Sequence, residues 1–238
     1  MILALSTSTP QFGAAVLSEE GIVQAEFSVG VGRKHFRGFM PAVDFVLAAS
    51  RAAPEDLTAI AVASGPGSFT GLRVGIAAAK GMAHGIGIPV IGVSSLAALA
   101  RRIPFSDLPV CAMLDSRRGE FFYALFAFES SGAMKRLCED ACVREDDLPE
   151  IIRSPTLVIG NDAHRQAPVI RRVLGDRALP TPLEFWNPSA SAVGVLGLER
   201  YRRGETDSLR DLVPAYFRPP DIRPGPEQSP PAPDDPRF

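Results

Sequence analysis

Three cysteines, three histidines, one tryptophan and three tyrosines are few for 238 residues, and each shortage closes off a class of protein. An odd number of cysteines leaves no fully paired disulfide framework. Cys138 and Cys142 stand in a C-x-x-x-C spacing with no histidine beside them, which is neither a metal-binding nor a thioredoxin-like pattern. Reduced thiols in a cytoplasmic protein are the expectation. His35, His84 and His164 have no second histidine three or four residues on, so no helical metal pair forms. No apolar run approaches a bilayer span and no secretory signal core follows Met1, so no membrane association is expected. There is no G-x-S-x-G elbow for a nucleophilic serine. The formal net charge of −2 supplies no global basic field, so any nucleic-acid contact has to be local or shared with a partner.

What is abundant is apolar and small. With 46% hydrophobic and 22% charged residues the chain suits one large or two small globular domains. Its centre of organisation is residues 58–86. An apolar run, Thr58 to Ala63, reads as a buried strand, stops at Ser64-Gly65-Pro66-Gly67, and gives way to a long segment with helical spacing. Gly65 and Gly67 permit backbone angles other residues avoid, Pro66 stiffens the turn, and Ser68 or Thr70 can cap the helix. Free N–H groups at that helix start would face whatever lies beyond the turn. Gly71 is followed by Leu72 and Arg73, not by the Lys-Ser/Thr of a phosphate-binding P-loop. Gly65-x-Gly67-x-x-x-Gly71 is also one residue longer than a dinucleotide fingerprint. The turn therefore reads either as a structural seat for the helix on a sheet or as part of an interface. Gly71, Gly75, Ala79 and Ala83, four apart, give the helix a nearly bare face that would let its own sheet or another helix approach closely.

The remainder falls into a repeated order. Met1 to Leu5, Phe12 to Leu17 and Ile22 to Val29 predict an antiparallel meander. Phe36, Met40, Val43 and Leu47, flanked by Phe39 and Val46, then predict a helix from Lys34 to Arg51. Strand, helix and the strand Pro89 to Val93 follow. From Pro109 the order begins again: strands Pro109–Leu114, Glu120–Phe128 and Met134–Val143, a helix at 146–152, a strand at 156–159 and a helix at 166–174. Asn187-Pro188-Ser189 predicts the cap of a helix from Ala190 to Arg203. Two such series imply an α/β protein of two mixed-sheet domains, 1–104 and 105–211, with a closing segment 212–218 returning to the first. Residues 219–238, dense in proline and acidic charge, are expected to be a disordered tail. Asp115, with Arg117, Arg118 and Glu120, is the one charged cluster at a strand end, and a local ion pair is its simplest reading.

The string Ser64-Gly-Pro-Gly-Ser-Phe-Thr-Gly-Leu-Arg-Val-Gly75 resembles a signature of the TsaB (YeaZ) family. The resemblance extends to Ile2–Thr7, to His35 with Pro41-Ala42, to Gly92–Leu96, to Asp115–Glu120 and to Val213–Arg218, essentially all of residues 1–218. It implies the duplicated actin-like, ribonuclease-H-like (ASKHA) fold. It also implies a non-catalytic subunit that pairs with a TsaD-type catalytic subunit in bacterial tRNA N6-threonylcarbamoyladenosine modification, moving threonylcarbamoyl from its adenylate to N6 of adenosine 37. A TsaE-type ATPase would dock on the pair, tRNA would be met only within that complex, and the isolated chain would form a homodimer. No cofactor of its own is implied, although a nucleotide at the partner interface is compatible with the resemblance.

Two departures from related patterns bear on chemistry. Ser6 stands where the family usually carries Asp, and a neutral hydroxyl supplies no charge to a metal–phosphate group. Ser95 and Leu99 stand where the catalytic paralogue carries a metal-binding His-x-x-x-His, which removes support for the glycoprotease (M22-like) label of the wider superfamily. No catalytic residue is therefore assigned. The interface is expected on Phe36, Phe39, Met40, Val43, Gly71, Gly75, Ala79 and Ala83, so that Ala79→Trp should block pairing and leave the fold intact. The alternative function is an ATP-dependent kinase or ATPase of the same fold.

Overall fold

Two mixed sheets carry the chain, each begun by a meander and extended by parallel strands. The computed structural model describes residues 1–30, 35–117 and 119–217, and the side chains of residues 35, 36 and 117 are not included. The expected tail, together with Lys34 and Arg118, lies outside the described residues.

In the first sheet β1 (Ile2–Ser6), β2 (Phe12–Leu17) and β3 (Val23–Val29) are antiparallel, while β4 (Ala59–Gly65) and β5 (Val90–Ser94) run parallel to β1, in the order β3-β2-β1-β4-β5. Ala4 faces Ala15 on one side and Ala61 on the other. The second sheet contains β6 (Val110–Arg117), β7 (Glu120–Phe128), β8 (Met134–Arg136), β9 (Ala141–Arg144), β10 (Thr156–Ile159) and β11 (Ala178–Pro180). Its order is β11-β10-β6-β7-β8, with β9 also on β7.

The central strands of the first sheet are apolar throughout because both faces are covered. Leu3, Leu5, Ala14, Val16, Ile60 and Val62 pack with α1 (Phe39–Ser50) and α2 (Phe69–Ile86). The alternate residues Ile2, Ala4, Ala15, Leu17, Ala59 and Ala61 pack on the other face with α3 (Ser95–Ala100) and α6 (Ala190–Arg202). That second core continues without a break into the second sheet, through Val110 to Leu114, Phe122 and Phe126. The far face of the second sheet is covered by α4 (Leu148–Ile151) and α5 (Ala163–Leu174).

Three sequence expectations change. Residues 190–211, placed by chain order with the second domain, return to the first: α6 lies so close to its sheet that a Cβ on Gly194 would meet Leu17 at 2.3 Å and one on Gly197 would meet Ala61 at 2.4 Å. The strand expected over Met134–Val143 is two strands. Asp140 accepts a hydrogen bond from Ser94 Oγ at 2.7 Å and pairs with Arg136, and both bonds draw residues 138–140 out of the ladder. The Lys34–Arg51 helix is a 3-10 turn, His35–Gly38, followed by α1, which ends where Arg51 turns left-handed at φ 54°.

A strap formed by residues 207–217 closes the first sheet. Asp207 N–H donates to Val90 O at 2.9 Å, and the Asp207 carboxylate accepts from Gly92 N–H at 2.7 Å and from Arg200 at 3.1 Å. Leu212 then packs on Gly92, where a Cβ would sit 2.7 Å from its methyl group, and Ala215 N–H donates to Ser64 O at 2.8 Å.

These contacts generate two expectations. Gly197→Val should lower stability by about 1–3 kcal/mol, because nothing but Gly fits between α6 and Ala61. Gly81→Ala, in an exposed stretch of α2 with no atom within 4 Å of the new methyl, should raise it by about 0.5–1 kcal/mol. Urea titration of both variants checks the pair, and destabilisation by both would contradict the packing described. Cys111 is wholly buried, and burial pushes its thiol well above the ordinary range, so it stays protonated and unreactive at pH 8. Titration with an aromatic disulfide reagent should therefore label Cys142 in the native chain and Cys111 only in denaturant.

Candidate functional site

The Gly-rich turn is built as the sequence suggests, but it is full. Gly65 and Gly67 take φ values of 125° and 154°, which favour glycine. Ser68 caps α2 by accepting from Gly71 N–H at 3.3 Å, while its own N–H donates to Ser8 O at 2.7 Å. A Cβ on Gly67 would lie 2.2 Å from Ser8 O, and one on Gly65 would lie 2.9 Å from Ala215 O. The loop after β1 presses on one side of the turn and the strap on the other. Backbone groups that cradle a phosphate in nucleotide-binding turns here serve the chain itself. Thr70, the alternative cap, is exposed and does not cap the helix.

The end of β1 supplies hydroxyls and no charge. Ser6, Thr7, Ser8 and Thr9 are all buried. Ser6 Oγ donates to Pro188 O at 3.4 Å and Thr9 Oγ1 to Gln11 O at 3.2 Å. Thr7 Oγ1 sits where a Cβ on Gly75 would lie, 2.2 Å away, which is why α2 needs glycine there. In the second half Asp115 N–H donates to Asn161 Oδ1 at 3.0 Å, and Arg165 donates to the Asp115 carboxylate at 2.7 Å. Asp115 is thus paired with Arg165 of α5, 50 residues on, while Arg118 and the side chain of Arg117 lie outside the described residues. Among the described residues no group of three His, Cys, Asp or Glu side chains could hold a metal ion, and Ser95 and Leu99 are wholly buried.

The expected interface residues divide sharply. Gly71, Gly75, Ala79 and Ala83 are buried against the chain's own sheet, and so are Phe39, edge-on to Phe12 at 5.9 Å, and Val43. The small-residue stripe seats α2 on β1 and β4; it is not a bare face for another helix. Ala79→Trp would therefore disrupt the core, and it does not test pairing. Of the seven whose side chains are described, Met40 alone is exposed, at 44%; the side chain of Phe36 lies outside the described residues. The outward face is a different set: Phe45, 56% exposed and 5.5 Å from the Phe27 ring, with Ala48 and Ala49 on α1, and Phe69, Arg73, Ala77 and Gly81 on α2.

Sequence reasoning did not find the strap's part in the site. Gly92 within β5 is the available signal, since a glycine inside a strand marks close approach of another segment. The expected return of 212–218 to the first domain names part of that segment, but nothing local places it over the Gly-rich turn or includes 207–211.

Comparison with known proteins agrees with this architecture. The family model described as tRNA N6-adenosine threonylcarbamoyltransferase (TsaD) matches residues 16–150. The tRNA threonylcarbamoyladenosine biosynthesis protein TsaB of Bacillus subtilis is 34% identical over 220 residues, covering 91% of this chain and 93% of that one. The TsaB of Haemophilus influenzae is 34% identical over 229 residues, again with 91% and 93% coverage. The structure of YeaZ from Pseudomonas aeruginosa superposes with a TM-score of 0.78 at 26% identity, over 90% of this chain and 98% of that one. With its strand order, its filled Gly-rich turn and this relatedness along its length, the chain belongs to the TsaB (YeaZ) family and has the duplicated actin-like fold.

Proposed function

We propose that the chain is a non-catalytic, activating subunit of bacterial tRNA N6-threonylcarbamoyladenosine synthesis, paired with a TsaD-type catalytic subunit that transfers threonylcarbamoyl to N6 of adenosine 37. The observation that carries this reading is the filled turn. Where a phosphate would approach the start of α2, Ser8 O and Ala215 already lie against the glycines, and Ser6 at the end of β1 brings no carboxylate to hold a metal ion. The alternative of an ATP-dependent kinase or ATPase needs both an open turn and an acid at that strand end.

The partner reads the outward face of α1 and α2, where Met40, Phe45, Ala77 and Gly81 offer a low, largely apolar surface beside the exposed Asp44 and Arg73. Aromatic and Met side chains concentrate at such contacts, and small residues between them let a partner helix come close. The isolated chain self-associates through the same face. A TsaE-type ATPase docks on the assembled pair, tRNA is met only there, and any nucleotide lies between subunits. The complex works in the cytoplasm, in keeping with the absence, among the described residues, of a helix long and apolar enough to cross a membrane.

Omission of this chain from a reconstituted set of pathway proteins should abolish tRNA modification, and sedimentation with the TsaD-type protein of the same organism should give a heterodimer. Ala77→Trp, on the exposed side of α2, should weaken pairing about 100-fold or more with the melting temperature nearly unchanged. Undiminished modification without the chain, or Mg-dependent ATP turnover by the chain alone, would overturn the assignment.

A further inference from the structure

The outward stripe of α2 does not end at the helix. Phe69 and Arg73 begin it, one turn apart, and the last residues of the strap join them there. The Tyr216 ring lies 5.1 Å from that of Phe69, the Arg73 guanidinium sits 3.7 Å above the Phe69 ring, and Arg73 Nε–H donates to Tyr216 Oη at 2.9 Å. Phe217 reaches across to Phe122 of the second sheet, with ring centroids 6.2 Å apart. Phe122 is buried, but the outer side chains are accessible: Phe69 is 38% exposed, Tyr216 44% and the neighbouring Val213 63%. Arg73 makes no ion pair among the described residues.

Such a cluster is unusual for a surface that meets only water. A free arginine samples many rotamers, and fixing it costs entropy that exposed contacts seldom repay. Here the cost is met before any partner arrives, because Phe69 stacks on one side of the guanidinium and Tyr216 holds its Nε. Tyr216 is itself held by Ala215 N–H on Ser64 O and by Leu212 in the core beside Gly92. Among the described residues no acid pairs with the guanidinium, whose side chain is exposed. Arginine and tyrosine on a rigid apolar base are the residue types that dominate binding energy at protein interfaces, and a planar guanidinium favours a carboxylate.

We propose that the strap is part of the partner-binding surface and that Arg73 is its anchor, receiving a carboxylate from the catalytic subunit while Phe69, Val213 and Tyr216 seat apolar side chains around it. This rests on the α1/α2 reading above and extends it. Two features select a protein partner for this patch. It continues the stripe Phe69, Arg73, Ala77, Gly81, and Arg73, which makes no ion pair among the described residues, lies between the rings of Phe69 and Tyr216, the complement of an acid in an apolar setting. An RNA platform would instead need several cations side by side, and the stripe Phe69, Arg73, Ala77, Gly81 carries only Arg73.

The test is the affinity of the full chain for the TsaD-type subunit, by calorimetry and sedimentation. Arg73→Glu should weaken pairing about 100-fold and Arg73→Lys, which keeps the charge and loses the planar fork, about 10-fold. Tyr216→Phe, which removes only the hydroxyl that steadies Arg73, should weaken it several-fold, roughly the worth of one hydrogen bond, with the melting temperature unchanged. Pairing by Arg73→Glu within about twofold of the parent chain, while Ala77→Trp abolishes it, would overturn the anchor and leave the α1/α2 interface standing. If neither variant weakens pairing, the α1/α2 reading itself fails and the extension falls with it. If Arg73→Glu pairs normally and the assembled pair loses tRNA affinity, the cluster reads RNA and the proposal is wrong.

Discussion

Close approach of helices to both faces of the first sheet is the constraint on which the rest of the molecule depends. An apolar strand covered on one side alternates in character; β1, β2 and β4 do not, because alternate residues serve two cores. Space on both sides is short, and small residues make it fit. Gly75 yields to Thr7 on the α2 side, and Gly194 and Gly197 yield to Leu17 and Ala61 on the α6 side. Glycine within a helix costs conformational entropy, so three of them facing one sheet signify that contact distance outweighs helix propensity here. Because α6 covers the first sheet and α3 packs on α6, β6 and β7, the two halves share one core, and neither half is complete without the other.

The same tight fit decides what the Gly-rich turn can do. A helix N-terminus with glycines before it attracts anions when its N–H groups face open space. Here Ser68 N–H is satisfied by Ser8 O and Gly71 N–H by the Ser68 hydroxyl, and Ala215 covers Gly65. The glycines precede a helix start, but the space beside them is taken by the chain. At the end of β1, Ser6 offers a hydroxyl and no carboxylate. The turn is an internal joint between β4, α2 and the strap.

Much of the fold was legible because it is local. The meander spacing, the capped helices and the turn at Ser64–Gly67 each declare themselves within a dozen residues. What was not legible is which way a small face points. Gly71, Gly75, Ala79 and Ala83 form the same stripe whether a sheet or a partner helix covers them, and the spacing does not distinguish the two. The available clue was bulk beside the stripe: Leu72 and Ile76 share the buried side, and such side chains turn inward. The return of α6 to the first sheet and the division of β8 from β9 had no local signal. The first depends on how two sheets share a core and the second on a hydrogen bond from Ser94 to Asp140, 46 residues away.

With the turn after β4 filled, the accessible groups near it lie on the outer side of α2 and the strap. A residue such as Arg73 is informative there because it is ordered without being neutralised. Intramolecular ion pairs hold Asp115 with Arg165 and Glu145 with Arg172, and such exposed pairs add little to stability or recognition. Arg73 differs in having its position set by rings and a hydroxyl, which leaves its charge unspent. The strap that fixes Tyr216 is the same segment that covers Gly65, so filling the old ligand edge and building the new surface are a single structural event. Opening the turn by removing the strap would also remove the tyrosine that orders the arginine.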